Sequence, residues 1–279
     1  MIKLESEMTP INKSKYSKRN QTATSIVLTG SLIFCIFCIF CSFACAETVI
    51  VGGYPFPPFV ESTDGMFEGL TLDLIKEFNK FQKQYRFSFH PTSPKRRYSD
   101  FDKGMFDMLF FESIQWGWQE KDITASRVFL KGGEVYITRA SPEKDQRYFE
   151  SFTGKSLIGY LGYHYGFANF NSDETNLRKN FDITLSNSHK RNIQMILKKR
   201  IDIGIVTISY LNRYLMNHPE NKNQLLISSK LDQVYHHTIL IRKNNTPDVH
   251  EINRLLDEMK KAHVLSDLFR KYGLNAANP

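Results

Sequence analysis

Residues 47–279 alternate between strand-like segments and segments with helical periodicity, and this alternation constrains the fold more than any other feature. The β-rich run 48–51 comes first, and the proline-rich loop 54–59 that follows it cannot be helical. After Gly69, apolar residues recur every three or four positions through residue 81 and predict one helical face. A strand is predicted next, at 85–90. Strand, helix and strand in this order predict an α/β domain with right-handed crossovers.

The first 46 residues have the layout of an export signal. Five basic and two acidic residues precede residue 20, and no charge appears from residue 20 to residue 46. The apolar part, 26–43, ends in Ala44-Cys45-Ala46, whose small side chains suit a signal peptidase. We therefore expect cleavage after Ala46 and a periplasmic protein. A membrane anchor of 18 apolar residues and a lipid on Cys45 are the alternatives.

Removal of this leader from the 279 residues would leave 233 residues without cysteine, because all four cysteines lie between residues 35 and 45. No disulfide and no cysteine-ligated zinc site is then expected. The net charge would fall from +8 to +5, which is too small and too dispersed to predict a nucleic-acid partner. Adjacent His236 and His237 point to opposite faces of a strand, which argues against their joint ligation of a metal. We expect neither a metal nor a cofactor.

The alternation continues to the C-terminus in two sets. Residues 98–103 predict a short helix closed by Gly104, and the almost continuous apolar run 106–111 is typical of a buried parallel strand. The second set begins after residue 139 and includes separate strands at 225–228 and 237–241. Two α/β units of roughly 100 residues each fit this length better than one. A cleft between them is the default binding site.

Six segments of the chain, in order, resemble the family 3 extracellular solute-binding proteins, the periplasmic components associated with polar amino-acid import. The resemblance implies a two-lobed periplasmic binding protein type II fold of the α/β class, joined by crossover strands at 135–139 and 236–242. Lobe 1 would hold residues 47–137 and 236–279, and lobe 2 residues 138–235. The segments are the loop 54–59, Phe67-x-Gly69-Leu70-x-Leu72-Asp73-Leu74, Gly104-x-x-Asp107, Phe152-x-Gly154-Lys155-Ser156-Leu157, Arg200-Ile201-Asp202 and Leu268-Phe269-Arg270-Lys271-Tyr272-Gly273.

The resemblance also implies a function and partners. We expect a monomer that captures a small polar solute, amino-acid-like or related, for an inner-membrane ABC permease, and that is not an enzyme. One alternative is an enzyme like the cyclohexadienyl dehydratases of the same fold, with Glu112 as the general acid. Another is a sensory or accessory binding module without a transporter of its own.

Candidate ligand-binding residues follow from the same resemblance. Phe56 falls where the family's first loop places an aromatic ring over the ligand, although it would also suit the core beneath that loop. Amino-acid receptors of the family have an arginine twelve residues after the position of Asp107, and it pairs with the ligand carboxylate; this chain has Gln119 there. The family's aspartate for the ligand ammonium aligns with Thr207. Both charged anchors of a standard α-amino-acid site are therefore expected to be absent.

Other side chains are candidates to replace those anchors. Glu112 directly follows a predicted strand, and its carboxylate would either lie inside the cleft or be a solvent-exposed acid at the end of that strand. Arg96 or Arg97, after a proline, matches a Pro-x-x-Arg feature of a divergent branch and would act as an anion clamp or lie on the surface. Trp116 and Trp118 would stack on a ligand at the cleft mouth or pack in the core.

The turn 162–165 of lobe 2 corresponds to the strand-to-helix turn that offers backbone N–H groups to the ligand in the family. Tyr163 and His164 are the candidate side chains there. His164 would titrate or donate a hydrogen bond, or serve only a structural role.

Overall fold

The computed structural model describes residues 46–274, so the predicted leader lies outside the described residues apart from Ala46. Strands and helices alternate through this region as the sequence predicts. The strands are β1 Glu47–Gly53, β2 Glu61–Thr63, β3 Met66–Glu68, β4 Tyr85–Pro91, β5 Met108–Glu112, β6 Ile123–Ala125, β7 Leu130–Arg139, β8 Leu157–Tyr160, β9 Ile183–Ser186, β10 Ile203–Thr207 and β11 Leu225–Arg242. The helices are α1 Leu70–Phe81, α2 Arg97–Asp102, α3 Glu174–Asn180, α4 His189–Leu197, α5 Ile208–Asn217, α6 Val249–Lys261 and α7 Val264–Lys271.

One large mixed sheet organises these elements, with the strand order β4-β1-β5-β11-β7-β10-β8-β9 and β6 paired to β11. Within the lobe 1 half, β1 pairs in parallel with β4 and β5. Within the lobe 2 half, β8 pairs in parallel with β9 and β10. The sheet with its flanking helices confirms the α/β class and matches the two-lobed type II architecture.

The long strands β7 and β11 connect the two halves of the sheet. They pair antiparallel with each other from Leu130–His237 to Arg139–Leu225, so the two strands predicted at 225–228 and 237–241 are parts of one strand. β7 already pairs with β10 of lobe 2 from Glu134 onward. The predicted crossover segment 135–139 overlaps this paired part of β7 and stays a prediction. The lobe boundaries themselves stay a prediction.

Helix α1 shows how local sequence forms these elements. Gly69 precedes it with a φ of 123°, and a Cβ there would lie 2.6 Å from the carbonyl oxygen of Phe59, so only glycine fits. The helix buries Leu70, Leu74 and Phe78 on one face, as the three- and four-residue spacing predicts. This face packs on the lobe 1 sheet and holds the proline-rich loop in place, because the amide of Leu70 donates to the carbonyl of Pro58.

No helix within residues 46–274 has the length and apolar character to cross a membrane.

Candidate functional site

The site lies between the lobes, where loops at the C-terminal ends of several parallel strands meet. In open α/β sheets this is the edge at which ligands bind. Lobe 1 supplies the loops after β1 and β5 and the start of α2, lobe 2 supplies the turn after β8, and β11 forms the floor. The lining residues are Tyr54, Phe56, Arg97, Trp116, Gly162, Tyr163, His164, Gln233 and Tyr235.

Aromatic rings from both lobes fill the cleft. The Phe56 ring lies 5.7 Å from Trp116 and 5.9 Å from Tyr235, and 5.4 Å from Tyr163 of lobe 2, all near edge-to-face. We call these four residues the interlobe aromatic cluster. The cavity that remains among them has a volume of only about 10 Å³, enough for about one water molecule. The lobes are therefore closed on each other, and a larger ligand requires them to part.

A buried ion pair lies behind this cluster. Arg97 is 1% exposed and Glu112 is fully buried, and the guanidinium Nε is 3.5 Å from the carboxylate Oε1. The guanidinium lies 4.6 Å from the ring centre of Tyr54 and 4.5 Å from that of Tyr98, so two rings sandwich it. Burial raises the pKa of Glu112, while the charge of Arg97 opposes that rise. Arg97 and Glu112 thus form one electrically compensated unit inside lobe 1.

The two tryptophans have different surroundings. Trp116 lines the cleft and donates its indole N–H to Gln233 Oε1 at 3.0 Å. Trp118 is fully buried in lobe 1 and donates to Glu112 Oε2 at 3.0 Å, so it supports the ion pair from behind. Gln119 and Arg96 are exposed and do not belong to the residues that line this pocket.

The turn after β8 carries the lobe 2 side of the site. Gly162 has a φ of 80°, and a Cβ at this position would come within 2.8 Å of Pro94 in lobe 1. His164 Nε2 is 3.4 Å from the hydroxyl of Tyr98 across the cleft. Burial, together with the charge of Arg97, lowers the pKa of His164 to about 3, so its imidazole is neutral at physiological pH.

Thr207 lies deeper in lobe 2 and is bonded to a histidine that sequence reasoning missed. Its Oγ1 is 3.1 Å from Nε2 of His189, the first residue of α4. The imidazole is buried against the rings of Tyr160, Tyr163 and Tyr210 at 4.9 to 5.7 Å. Burial lowers its pKa to about 3. Thr207, which the resemblance aligns with an ammonium-binding aspartate, is thus a neutral hydroxyl paired with a neutral imidazole.

Gln233, which the sequence analysis also did not identify, links both lobes to the strands between them. Its side-chain oxygen accepts from Trp116 of lobe 1, and its side-chain nitrogen donates to the His164 carbonyl of lobe 2. The same nitrogen lies 2.9 Å from Glu134 Oε2 on β7. An isolated glutamine in a strand gives no sequence signal of such a role, because its importance depends on three partners distant in sequence.

Ion pairs at the rim also join the lobes. Arg213 of α5 is 2.6 Å from Glu61 of β2, and Lys95 is 3.1 Å from Glu174 of α3. The second pair is exposed and contributes little, whereas the first is half-buried and more favourable. Among residues 46–274, no group of three or more histidine or acidic side chains is arranged to hold a metal ion.

The sequence model of the bacterial extracellular solute-binding proteins, family 3, matches residues 49–275. The chain belongs to this family. Since the match covers both lobes and the cleft between them, the whole described region is that of a solute-binding protein. No curated protein matches the sequence.

Solved structures agree with this solute-binding fold at low sequence identity. An ABC uptake transporter substrate-binding protein from Streptococcus pneumoniae with bound histidine has a TM-score of 0.62 and 20% identity, over 83% of this chain and 95% of that one. The GluR0 ligand-binding core from Nostoc punctiforme in complex with L-glutamate has a TM-score of 0.61 and 17% identity, over 80% of this chain and 98% of that one. The L-cystine solute receptor of Neisseria gonorrhoeae, in its unliganded open conformation, has a TM-score of 0.55 and 18% identity, over 84% of this chain and 96% of that one.

In this solute-binding protein, the structure brings five of the sequence candidates together at the cleft: Phe56, Arg97, Trp116, Tyr163 and His164. Glu112, Trp118 and Thr207 lie buried behind them, and Arg96 and Gln119 lie at the surface. The ligand-binding role of each of the ten stays a prediction.

Proposed function

We propose that this solute-binding protein captures a small polar solute, amino-acid-like or related, between its lobes and delivers it to an inner-membrane ABC permease. The observation that carries the proposal is the meeting of Phe56 and Trp116 with Tyr163 of the opposite lobe beside the buried cation of Arg97. Aromatic rings suit the apolar portion of a small solute, and a guanidinium beside them can donate hydrogen bonds to its polar groups. The Streptococcus protein of similar fold holds histidine, and the Nostoc protein holds glutamate.

The site differs from a standard α-amino-acid site in its charges. Gln119 is exposed rather than directed to the cleft lining, and Thr207 is neutral and bonded to His189. Arg97 already has Glu112 as its counter-ion. A ligand carboxylate would therefore meet a compensated cation, and a ligand ammonium would find no free carboxylate at residue 207. We expect ordinary glutamate, glutamine and histidine to bind poorly.

A ligand screen tests this function. Thermal-shift measurements across amino acids, amines, small peptides and organic acids should find at least one compound that raises the melting temperature by mass action. Phe56→Ala should remove that shift, whereas Phe81→Ala, which changes a partly exposed ring on α1, should keep it. No stabilising compound in the screen, together with no ligand-dependent change in small-angle scattering, would refute the proposal. Micromolar binding of glutamate by calorimetry would refute the assignment of the charges.

The proposal includes export, a monomeric state and the absence of catalysis. The family is extracellular, which supports export to the periplasm with cleavage after Ala46. Glu112, the candidate general acid of a dehydratase, is bound to Arg97 and Trp118 and lies behind the cleft lining. Incubation with prephenate or arogenate should give no product, and turnover of either would favour the enzyme. A sensory role would be favoured by the absence of neighbouring permease and ATPase genes.

A further inference from the structure

Glu134 is a buried carboxyl group on one of the two strands that connect the lobes. It lies on β7 directly opposite Gln233 of β11. Its side chain is fully buried, Oε2 accepts from Gln233, and Oε1 has no hydrogen-bond partner. Within residues 46–274, no lysine or arginine lies within ion-pair distance of it. A fully buried carboxylate with no cation, and with only the amide of Gln233 and the hydroxyl of Tyr235 near it, is strongly unfavourable, so the carboxyl is neutral in the closed protein.

Of the titratable groups around Glu134, the carboxylate of Asp232 favours this neutral form, whereas the hydroxyl of Tyr235 opposes it as a hydrogen-bond donor. On β11 it faces the carboxylate of Asp232 and the hydroxyl of Tyr235, and on the turn after β8 it faces Tyr163 and Tyr165. Tyr136 on its own strand also lies within electrostatic range. Thr207, its partner on β10, is a neutral hydroxyl bonded to the neutral imidazole of His189.

Asp232 differs from Glu134 in the number of its donors. It accepts from the Tyr136 hydroxyl at 2.5 Å and from the amides of Gly166 and Phe167 at 2.7 and 2.9 Å. Three donors, two of them backbone amides, stabilise the carboxylate of Asp232, whereas Glu134 has only the amide of Gln233 and the nearby hydroxyl of Tyr235. The proton in this pair of acids therefore resides on Glu134. Burial and the charge of Asp232 raise the pKa of Glu134 to about 8.

The cover over Glu134 depends on closure, because both lobes contribute to it. Gln233 is held by Trp116 of lobe 1 and by the carbonyl of His164 in lobe 2. When the lobes part, these two contacts cannot both persist, and water gains access to the cleft floor formed by Gln233 and Tyr235. A hydrated glutamate ionises at neutral pH.

We propose that closure of the cleft is coupled to the uptake of one proton by Glu134, so that the closed state is favoured in acidic surroundings. The inference rests on the two-lobed capture proposed above. With an ordinary glutamate pKa in the open state, the closed-to-open ratio should fall as the pH rises from about 5 to about 8, by up to tenfold per pH unit. Above about pH 8 the proton is absent from both states and the ratio should level off.

The interlobe distance measures this coupling without a ligand. Met66 of lobe 1 and Met216 of lobe 2 are exposed, so spin labels on the Met66→Cys/Met216→Cys protein report opening by pulsed electron paramagnetic resonance. We expect the closed population to fall between pH 5 and pH 8. Glu134→Gln, which mimics the protonated acid, should stay closed throughout, whereas Glu150→Gln at the surface should behave as the parent does.

A distance distribution of the parent protein that does not change between pH 5 and 8 overturns the proposal. So does the same pH dependence in Glu134→Gln as in the parent. Closure should also be accompanied by the infrared absorption of a protonated carboxyl at pH 7. The difference spectrum of the parent should contain this band, and that of Glu134→Gln should lack it. Because no ligand is used, failure here with a positive ligand screen would leave the capture function intact.

Discussion

Replacement of Arg97 by methionine is the sharpest test of the site's electrostatics. The substitution keeps most of the side-chain volume but leaves the carboxylate of Glu112, which is fully buried and was paired at 3.5 Å, without its counter-ion. Breaking a buried pair by removing one partner costs about 3–5 kcal/mol. The two lost contacts to the rings of Tyr54 and Tyr98 each add about 0.5–2 kcal/mol. We therefore expect Arg97→Met to lower the free energy of unfolding by at least about 4 kcal/mol.

Urea unfolding followed by tryptophan fluorescence measures this loss, since Trp118 donates directly to Glu112. Adding Glu112→Gln to Arg97→Met should recover about 2 kcal/mol or more, because glutamine keeps an acceptor for Trp118 and removes the orphaned charge. The loss in the single variant should be larger at pH 8 than at pH 5, since a carboxylate without its cation can take up a proton in acid. Arg147→Met at the surface is the control and should change little. A single-variant loss below about 1 kcal/mol, or no recovery in the double variant, would refute the reasoning.

Three further outcomes are expected. Gly162→Ala should lower the melting temperature, because alanine is strained at the φ of 80° found there, and should weaken ligand affinity further, because its Cβ would approach Pro94 at 2.8 Å when the lobes close. A melting temperature and an affinity both at parental values would contradict this. Arg213→Ala should enlarge the radius of gyration in small-angle scattering by removing the 2.6 Å contact to Glu61 across the rim, whereas Arg254→Ala on α6 should not. Burial lowers the pKa of His189 from 6.5 to about 3, so below pH 6.5 the unfolded state binds a proton that the folded state does not. The free energy of unfolding should therefore fall with pH below 6.5, by up to about 1.4 kcal/mol per pH unit from this residue. His189→Gln should make this pH dependence less steep in urea titrations, and an unchanged slope would contradict the assignment.

The order of the elements could be predicted well from the sequence. The helical face of α1, the short helix closed by Gly104 and the apolar strand β5 all lie where periodicity predicts them. The continuity of β11 could not be predicted, because its middle, residues 229–234, is polar and alternates poorly. That middle part gains its partners only from β7 and the lobe 2 turn, which the local pattern does not encode.

The candidate site was predictable by residue type but not by arrangement. Phe56, Trp116 and Tyr163 could be named as cleft candidates, yet Gln233, Glu134 and His189 carried no local signal. The sequence left Arg97 and Glu112 as separate candidates, and the fold joins them in one buried pair.

By itself the sequence determined the class of fold and its resemblance to the solute-binding proteins, because periodicity, turn residues and short motifs are properties of neighbouring positions. The tertiary structure alone decided which charges are compensated and which hydroxyls and carboxyls are removed from water. Phe56 meets Tyr163, and Trp116 meets Gln233, only because two long strands bring the lobes together over one cleft. Charge, protonation and hydrogen bonding depend on burial and on such distant partners, so they follow from the packed structure.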